Sequence, residues 1–316
     1  MQRLIGGTLA VARAEVIGTA ILFSTGGAAI KAVNMAGLQV ACFRSSIAAV
    51  VLAVAIPAAR RGWSWRTLVV GLAFAATLIT FVTANKETTA ANAIFLQSTS
   101  LLYLLLIGPL ALREPLKRLD VVTVTLLLGG VGLFFLDTTG ASDTAPHPTL
   151  GNVLALASGA GWALTIGGLR WLGRERGAGA AGAATLAGNL LAAALCATVA
   201  FPVVGADSGD WMTLAYLGVF QIGLAYVLLT RAVSTIGALE ASLLLFIEPA
   251  LSPVWAWLVH GERPGPWSLL GGALILVATA AWSILDARRR AQRPLTGAPV
   301  SRVAEVAPGA PEANDR

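Results

Sequence analysis

The sequence predicts an all-α polytopic membrane protein, with ten transmembrane helices arranged as two inverted five-helix repeats and both termini in the cytoplasm. Composition is the first reason. Hydrophobic residues make up 56% and charged residues 12% of the 316 residues, whereas soluble domains contain roughly 25% charged residues. The mean hydropathy is +0.76. The second reason is a series of ten apolar runs, and the third is a weak repeat between the two halves of the chain.

Each apolar run is close to the roughly 20 residues that cross a bilayer as a helix. Charged residues or Gly/Pro clusters bound the runs. The first five spans are predicted at 14–31, 37–58, 67–84, 90–110 and 119–136, and the second five at 150–171, 180–203, 212–230, 237–258 and 267–285. The two repeats are predicted to occupy residues 1–140 and 141–286. Residues 287–316 contain three consecutive arginines and several prolines, which predicts a disordered cytoplasmic tail.

The distribution of basic residues predicts the orientation, because cytoplasmic loops of membrane proteins carry an excess of Lys and Arg. With the N-terminus inside, the short cytoplasmic segments hold twelve basic residues, and the opposite segments hold three, namely Lys31, Lys86 and Arg263. The sequence therefore predicts a multi-pass protein of a cell membrane, in particular the bacterial inner membrane. The net charge of +6 fits contact with anionic headgroups, and we expect no nucleic-acid partner.

The two halves of the chain resemble each other around two glutamates. The chain reads LREPLKRLD around Glu114 and HGERPGPWS around Glu262, 148 positions later. Five crossings are an odd number, so the second half must enter the membrane from the opposite side. Inverted repeats are a recurring plan of secondary transporters, with the substrate site near the midplane between the halves.

One stretch carries a resemblance to a known family. Residues 216–264, YLGVFQIGLAYVLLTRAVSTIGALEASLLLFIEPALSPVWAWLVHGERP, resemble ten-helix EamA-type members of the drug/metabolite transporter superfamily. The matching positions are Gly218, Ala225–Tyr226, Gly237–Ala238, Ala241–Ser242, Glu248–Pro249 and Gly261–Glu262. The resemblance implies export or exchange of small metabolites, including amino acids, with the aromatic amino-acid exporter branch as its nearest part. Family members often carry Pro at the position of Leu101, so we do not expect the fourth helix to bend like the ninth.

Two charged residues are predicted to lie inside spans, Glu248 about halfway along the ninth and Arg44 in the outer half of the second. Charges at such positions are costly and mark functional sites by default. Glu248 is expected to be protonated, paired or facing water. Arg44 is expected to bind a substrate carboxylate, or else to pair with Glu248 or a backbone carbonyl. Pro249 and Pro253 predict a kinked, gating helix, and a purely structural role is the alternative.

Polar and aromatic residues within the apolar spans are the remaining candidates for lining a substrate cavity, because a small ligand needs stacking surface and a few polar contacts. They are Gln97, Ser100, Tyr103, Trp162, Asn189, Gln221 and Tyr226. For each of them, packing or hydrogen bonding between helices is the alternative interpretation.

Missing motifs disfavour several function classes. The chain has no GxxxxGK[ST] loop and no HExxH motif, and its only histidines are His147 and His260. The sequence therefore lacks the motifs that ATP-driven pumping and metal-dependent hydrolysis require. We predict a secondary transporter that uses alternating access, has no catalytic residue, metal or other cofactor, and contacts a small-molecule substrate and the lipid bilayer as a monomer or weak homodimer. A passive channel or uniporter-like pore is the alternative, and an intramembrane enzyme is less favoured.

Overall fold

Ten helical segments are long and apolar enough to cross a membrane in the computed structural model, which describes residues 2–112, 117–136, 141–176, 178–233 and 235–291. Numbered as spans 1 to 10, they are Thr8–Ala32, Gly37–Ala55, Trp65–Glu87, Ala90–Ile107, Arg118–Leu136, Pro148–Leu172, Gly179–Ala200, Ser208–Ala232, Leu239–His260 and Pro266–Arg289. No β-strand occurs among the described residues. The prediction of an all-α polytopic membrane protein with ten spans is confirmed.

Several spans consist of more than one helix. The first half contains α1 (Gln2–Ser24), α2 (Gly26–Ala32), α3 (Gly37–Ala55), α4 (Trp65–Glu87), α5 (Ala90–Gln97), α6 (Ser100–Leu112) and α7 (Arg118–Leu136). The second half contains α8 (Pro148–Arg176), α9 (Ala178–Ala200), α10 (Ser208–Tyr216), a π-helical segment (Leu217–Leu224), α11 (Ala225–Ala232), α12 (Ala238–Leu245), α13 (Ile247–His260) and α14 (Pro266–Ala291). Residues 287–291 of the predicted tail are thus helical. The rest of the tail and Glu114 lie outside the described residues.

Spans 4 and 9 are both interrupted near their middle. The backbone angles are φ −64° and ψ −9° at Ser98, after α5, and φ −64° and ψ −12° at Phe246, after α12. These residues are 148 positions apart, the offset of the predicted repeat. The expectation that span 4 does not bend like span 9 is therefore wrong. The hydroxyls of Ser98 and Thr99 donate to the carbonyls of Ile94 and Leu96 at 2.8 and 2.6 Å, and such bonds compete with the helical ladder without a proline.

Helices of the two halves pack against each other along the centre of the protein. α4 packs on α8 and α9, α3 packs on α9 and the π segment, and α7 packs on α14. Glycines permit the closest of these approaches. A methyl group added to Gly188 of α9 would lie 2.5 Å from Phe74 Cδ1 and 3.0 Å from the carbonyl oxygen of Gly71 on α4. Small residues therefore bring α4 and α9 into backbone contact, as is typical of packed membrane helices.

The two ends of the bundle differ in their polar contacts. At the end where the odd-numbered spans finish, which we call the distal end, Lys31 contacts Glu262. At the opposite, proximal end, Arg13 pairs with Glu240. By the predicted orientation, the distal end faces outside and the proximal end faces the cytoplasm. That orientation, and the inverted relation between the repeats, stay predictions.

Candidate functional site

Arg44 lies on α3 with only 2% of its surface exposed. Its Nε and Nη1 atoms have no hydrogen-bond partner. The alternative of a pair between Arg44 and Glu248 does not occur among the described residues. Because buried polar groups nearly always have a partner, an unpartnered guanidinium is expected at a place where a ligand or water binds.

Three other buried residues carry a side-chain oxygen that has no hydrogen-bond partner: Ser45 Oγ, Asn189 Oδ1 and Gln221 Oε1. Ser45 lies on α3, Asn189 on α9 and Gln221 in the π segment, and α3 packs on both of the other elements. Segments of π-helix are frequent at functional sites. With Tyr226, which follows the π segment, these residues form what we call the central site: Arg44, Ser45, Asn189, Gln221 and Tyr226.

Aromatic rings form one side of the central site. The ring of Tyr226 lies 5.4 Å from that of Phe23 and 5.6 Å from that of Phe74, measured between centroids. Phe74 in turn lies 6.1 Å from Trp162. A cavity of about 10 Å³ touches Phe74, Trp162 and Tyr226. That volume holds about one water molecule. The other residues of the central site, Arg44, Ser45, Asn189 and Gln221, are at most 6% exposed, so the site is closed to an amino-acid-sized solute in this conformation.

Glu248 occupies the first turn of α13, beside the interruption of span 9. α13 packs on α1 and α2, and Gly26 of α2 lies against Gln221 of the central site. Among the residues that the structure describes, no group of three or more His, Cys, Asp or Glu side chains is placed to hold a metal ion.

The two prolines of span 9 occupy different positions in the helix. Pro249 lies in the first turn of α13, where the missing N–H breaks no helical hydrogen bond. A proline ring also clashes with the carbonyl group four residues earlier in a continuous helix. For Pro249 that carbonyl belongs to Leu245, the residue at which α12 ends. Pro253 lies inside α13, and the helix continues past it to His260. A gating role for either proline stays a prediction.

The polar run in span 4 does not join the central site. Gln97 Nε2 donates to Ser158 Oγ of α8 at 2.7 Å, and Ser158 Oγ donates to a carbonyl of α4 at 3.2 Å. Gln97 thus makes the interhelical hydrogen bond that was its alternative interpretation. Ser100 and Tyr103 are half-buried on α6, and no contact in the described residues connects them with Arg44.

A polar junction beside Gln221 was not found by sequence reasoning. Span 1 is interrupted at Thr25, whose Oγ1 forms a hydrogen bond of 2.8 Å with the hydroxyl of Tyr216. Gly26 packs directly on Gln221, because an added methyl group would lie 2.7 Å from Gln221 Nε2. The signal in the sequence was the small, polar stretch STGG inside the first apolar run.

Comparisons with known proteins agree with this architecture. Residues 149–284 match the EamA-like transporter family. The chain is 36% identical over 72 residues to the uncharacterized transporter YdfC of Bacillus subtilis (strain 168), covering 23% of this chain and 24% of the relative. It is 30% identical over 176 residues to the threonine/homoserine exporter RhtA of Escherichia coli (strain K12), covering 54% of this chain and 58% of the relative.

A third relative and a solved structure extend the comparison. An uncharacterized transporter of Methanothermobacter thermautotrophicus is 26% identical over 197 residues, which cover 61% of this chain and 55% of the relative. The matches thus span between about a quarter and somewhat over half of these relatives. One protein crystal structure shares the fold, with a TM-score of 0.59 and 21% identity over 88% of this chain and 98% of its own. The chain is therefore a multi-pass cell-membrane protein, and its residues 149–284 are similar to the EamA-like transporter family.

Proposed function

We propose that this chain is a secondary transporter that exports or exchanges small metabolites, in particular amino acids, by alternating access around the central site. The observation that carries the proposal is the buried guanidinium of Arg44, with two nitrogen atoms that lack a partner. A charged residue in the middle of a span costs about 2.5–3.5 kcal/mol on insertion scales. A charged residue inside a span therefore marks a functional site by default.

The chemistry of the central site suits an α-amino acid. A guanidinium presents parallel N–H donors that match a carboxylate. The unpartnered oxygens of Asn189 and Gln221 are acceptors for an ammonium group, and the rings of Phe74 and Tyr226 offer apolar surface. The name of the RhtA relative, a threonine/homoserine exporter, supports the same substrate class.

The burial of the central site supports a carrier over the alternative, a passive channel or uniporter-like pore. Arg44, Asn189 and Gln221 are at most 6% exposed, so substrate entry requires that the helices around the site move apart. The interruptions at Ser98 and Phe246 are discontinuities of the kind that line transport sites in secondary transporters. On the basis of these features we infer a gate that opens to one side at a time.

Counterflow in proteoliposomes tests the proposal. Vesicles loaded with one unlabelled amino acid from a panel are diluted into the same labelled compound, and a carrier shows transient accumulation that a channel or scaffold does not. We expect Arg44→Gln to weaken apparent affinity at least about thirtyfold, since truncating one partner of a buried charge pair costs about 2–5 kcal/mol. The matched control is Arg61→Gln, because Arg61 is an exposed arginine at the proximal end, and it should leave counterflow unchanged.

Two results would contradict the proposal. Absence of trans-stimulation with every amino acid tested, from wild-type protein that elutes as a single folded species, would favour the channel or scaffold interpretation. Full counterflow by Arg44→Gln with unchanged apparent affinity would remove Arg44 from substrate binding and leave its burial without a ligand.

A further inference from the structure

The distal end contains a buried ion pair between the two halves of the chain. Lys31 Nζ, at the end of span 1, lies 3.0 Å from Glu262 Oε1, in the connection between spans 9 and 10. Their side chains are only 2% and 4% exposed. Lys31 Nζ also donates to the carbonyls of Thr88 and Thr144. One ammonium group therefore contacts three separate connections at this end.

The second oxygen of the glutamate anchors the start of a half-helix. Glu262 Oε2 accepts a hydrogen bond of 2.8 Å from the backbone N–H of Ala90, the first residue of α5. A carboxylate at a helix N-terminus is favoured by the helix dipole. The helix that Glu262 contacts belongs to the other half of the chain.

Further contacts between the halves surround this pair. His260 Nε2 lies within hydrogen-bonding distance, 2.8 Å, of the Ala28 carbonyl. Asp210 Oδ1 accepts from the backbone N–H of Asn34 at 2.8 Å. Gln39 Nε2 donates to the carbonyl at the end of α9 at 3.1 Å. The distal end therefore has several hydrogen bonds between the halves in addition to the ion pair.

The proximal end is built differently. Its ion pairs between the halves each include an exposed partner. They are Arg13 with Glu240 at 2.5 Å (side chains 54% and 37% exposed), Arg231 with Glu15 at 3.3 Å (69% and 14%) and Lys117 with Asp286 at 3.8 Å (48% and 9%). Exposed pairs contribute little because solvent screens them and the side chains lose entropy. Removing one partner of a buried pair, by contrast, leaves an uncompensated buried charge, so we expect loss of the Lys31–Glu262 pair to cost the most.

We propose that Lys31 and Glu262 form the outer gate of the transport path, and that their separation opens the central site to the outside. This proposal rests on the proposed function. An ion pair suits a gate better than an apolar seal, because both charges are compensated by each other when closed and by water when open. Two discrete, satisfied states make the element bistable, which is the requirement for switching.

The two native cysteines report whether this gate is open. Cys42 and Cys196 are free thiols, 5% and 2% exposed. They pack in one apolar cluster with Ile30 and Val33, which flank Lys31 in the chain. We expect opening of the distal end to separate this cluster and expose both thiols. A membrane-impermeant maleimide, applied to intact cells and separately to inverted membrane vesicles, measures their accessibility from each side without any substrate.

Glu262→Gln is the test variant, because glutamine still accepts the hydrogen bond from Ala90 but lacks the charge. Glu240→Gln is the matched control at the proximal end. In wild type we expect slow labelling from outside. In Glu262→Gln we expect labelling from outside to accelerate at least about tenfold, a shift of about 1.4 kcal/mol in the gate equilibrium. Glu240→Gln should stay within about twofold of wild type. Lys31→Gln, which removes the other charge, should behave like Glu262→Gln.

Every outcome decides the proposal. Wild-type thiols that react from outside as fast as an exposed cysteine would show that no outer closure exists. Unchanged labelling in a folded Glu262→Gln or Lys31→Gln protein, or acceleration only in inverted vesicles, would also overturn it. Because the labelling assay needs no substrate, the two proposals can fail separately. Accelerated labelling without counterflow would support the gate and contradict the transport function. Counterflow with unchanged labelling would support the transport function and contradict the gate.

Discussion

The close approach of α4 and α9 gives the sharpest test of the packing. A Cβ atom at Gly188 would lie 2.5 Å from Phe74 Cδ1, 2.9 Å from Phe74 Cβ and 3.0 Å from the Gly71 carbonyl oxygen. Two of these three atoms cannot move without the backbone. Overpacking a well-packed core costs about 1–3 kcal/mol, and the higher helix propensity of alanine returns about 0.5–1 kcal/mol. We therefore expect Gly188→Ala to cost about 1 kcal/mol net.

Gly132→Ala is the matched control. Gly132 lies on α7, and a Cβ atom there would meet nothing within 4 Å, so only the propensity gain remains. Each kcal/mol shifts Tm by about 2–4 °C for domains of 150–250 residues. In detergent, Gly188→Ala should therefore melt about 2–4 °C below wild type, while Gly132→Ala melts at or slightly above it. If Gly188→Ala melted as high as Gly132→Ala, the backbone contact between α4 and α9 would be refuted.

Two further substitutions probe buried polar contacts. Asn152 accepts a 2.9 Å hydrogen bond from Thr88 Oγ1. Asn152→Ala leaves its buried partners unpaired, so we expect a loss of about 1–3 kcal/mol in stability, measured as a lower Tm. An unchanged Tm would contradict this hydrogen bond. Trp282 Nε1 donates to Asp120 Oδ1 at 2.8 Å, and Trp282→Phe, which keeps most of the ring, should cost about 1.5–3 kcal/mol because the acceptor is a carboxylate. A loss no larger than that in Trp267→Phe, an exposed tryptophan, would count against this contact.

The number and place of the spans could be predicted because hydrophobicity accumulates along a segment without reference to its neighbours. The second span was predicted at 37–58 and is found at Gly37–Ala55. The interruptions could not be predicted in the same way. No proline marks the break at Ser98, where the hydroxyls of Ser98 and Thr99 share the carbonyls of Ile94 and Leu96 with the backbone N–H groups. Only the proline-associated break in span 9 has a sequence signal.

The candidate site was only partly accessible to sequence reasoning. A buried arginine is conspicuous in an apolar run, so Arg44 was found. Whether a neutral polar side chain faces a partner or a cavity depends on the helix across from it, which the sequence does not specify. Gln97 has such a partner in Ser158, whereas Gln221 keeps an unpartnered oxygen. Lys31 was counted as a loop residue, and its burial follows from contacts far away in the chain.

The equal backbone angles at Ser98 and Phe246 have a consequence for engineering. A small alcohol and a large aromatic residue occupy corresponding places, so side-chain identity would never align them, while chain geometry does. Ser98 and Phe246 each lie at the break between the two helical segments of one span. Segments exchanged between the halves to build a symmetric variant should therefore be joined at these two landmarks, where a seam interrupts the least.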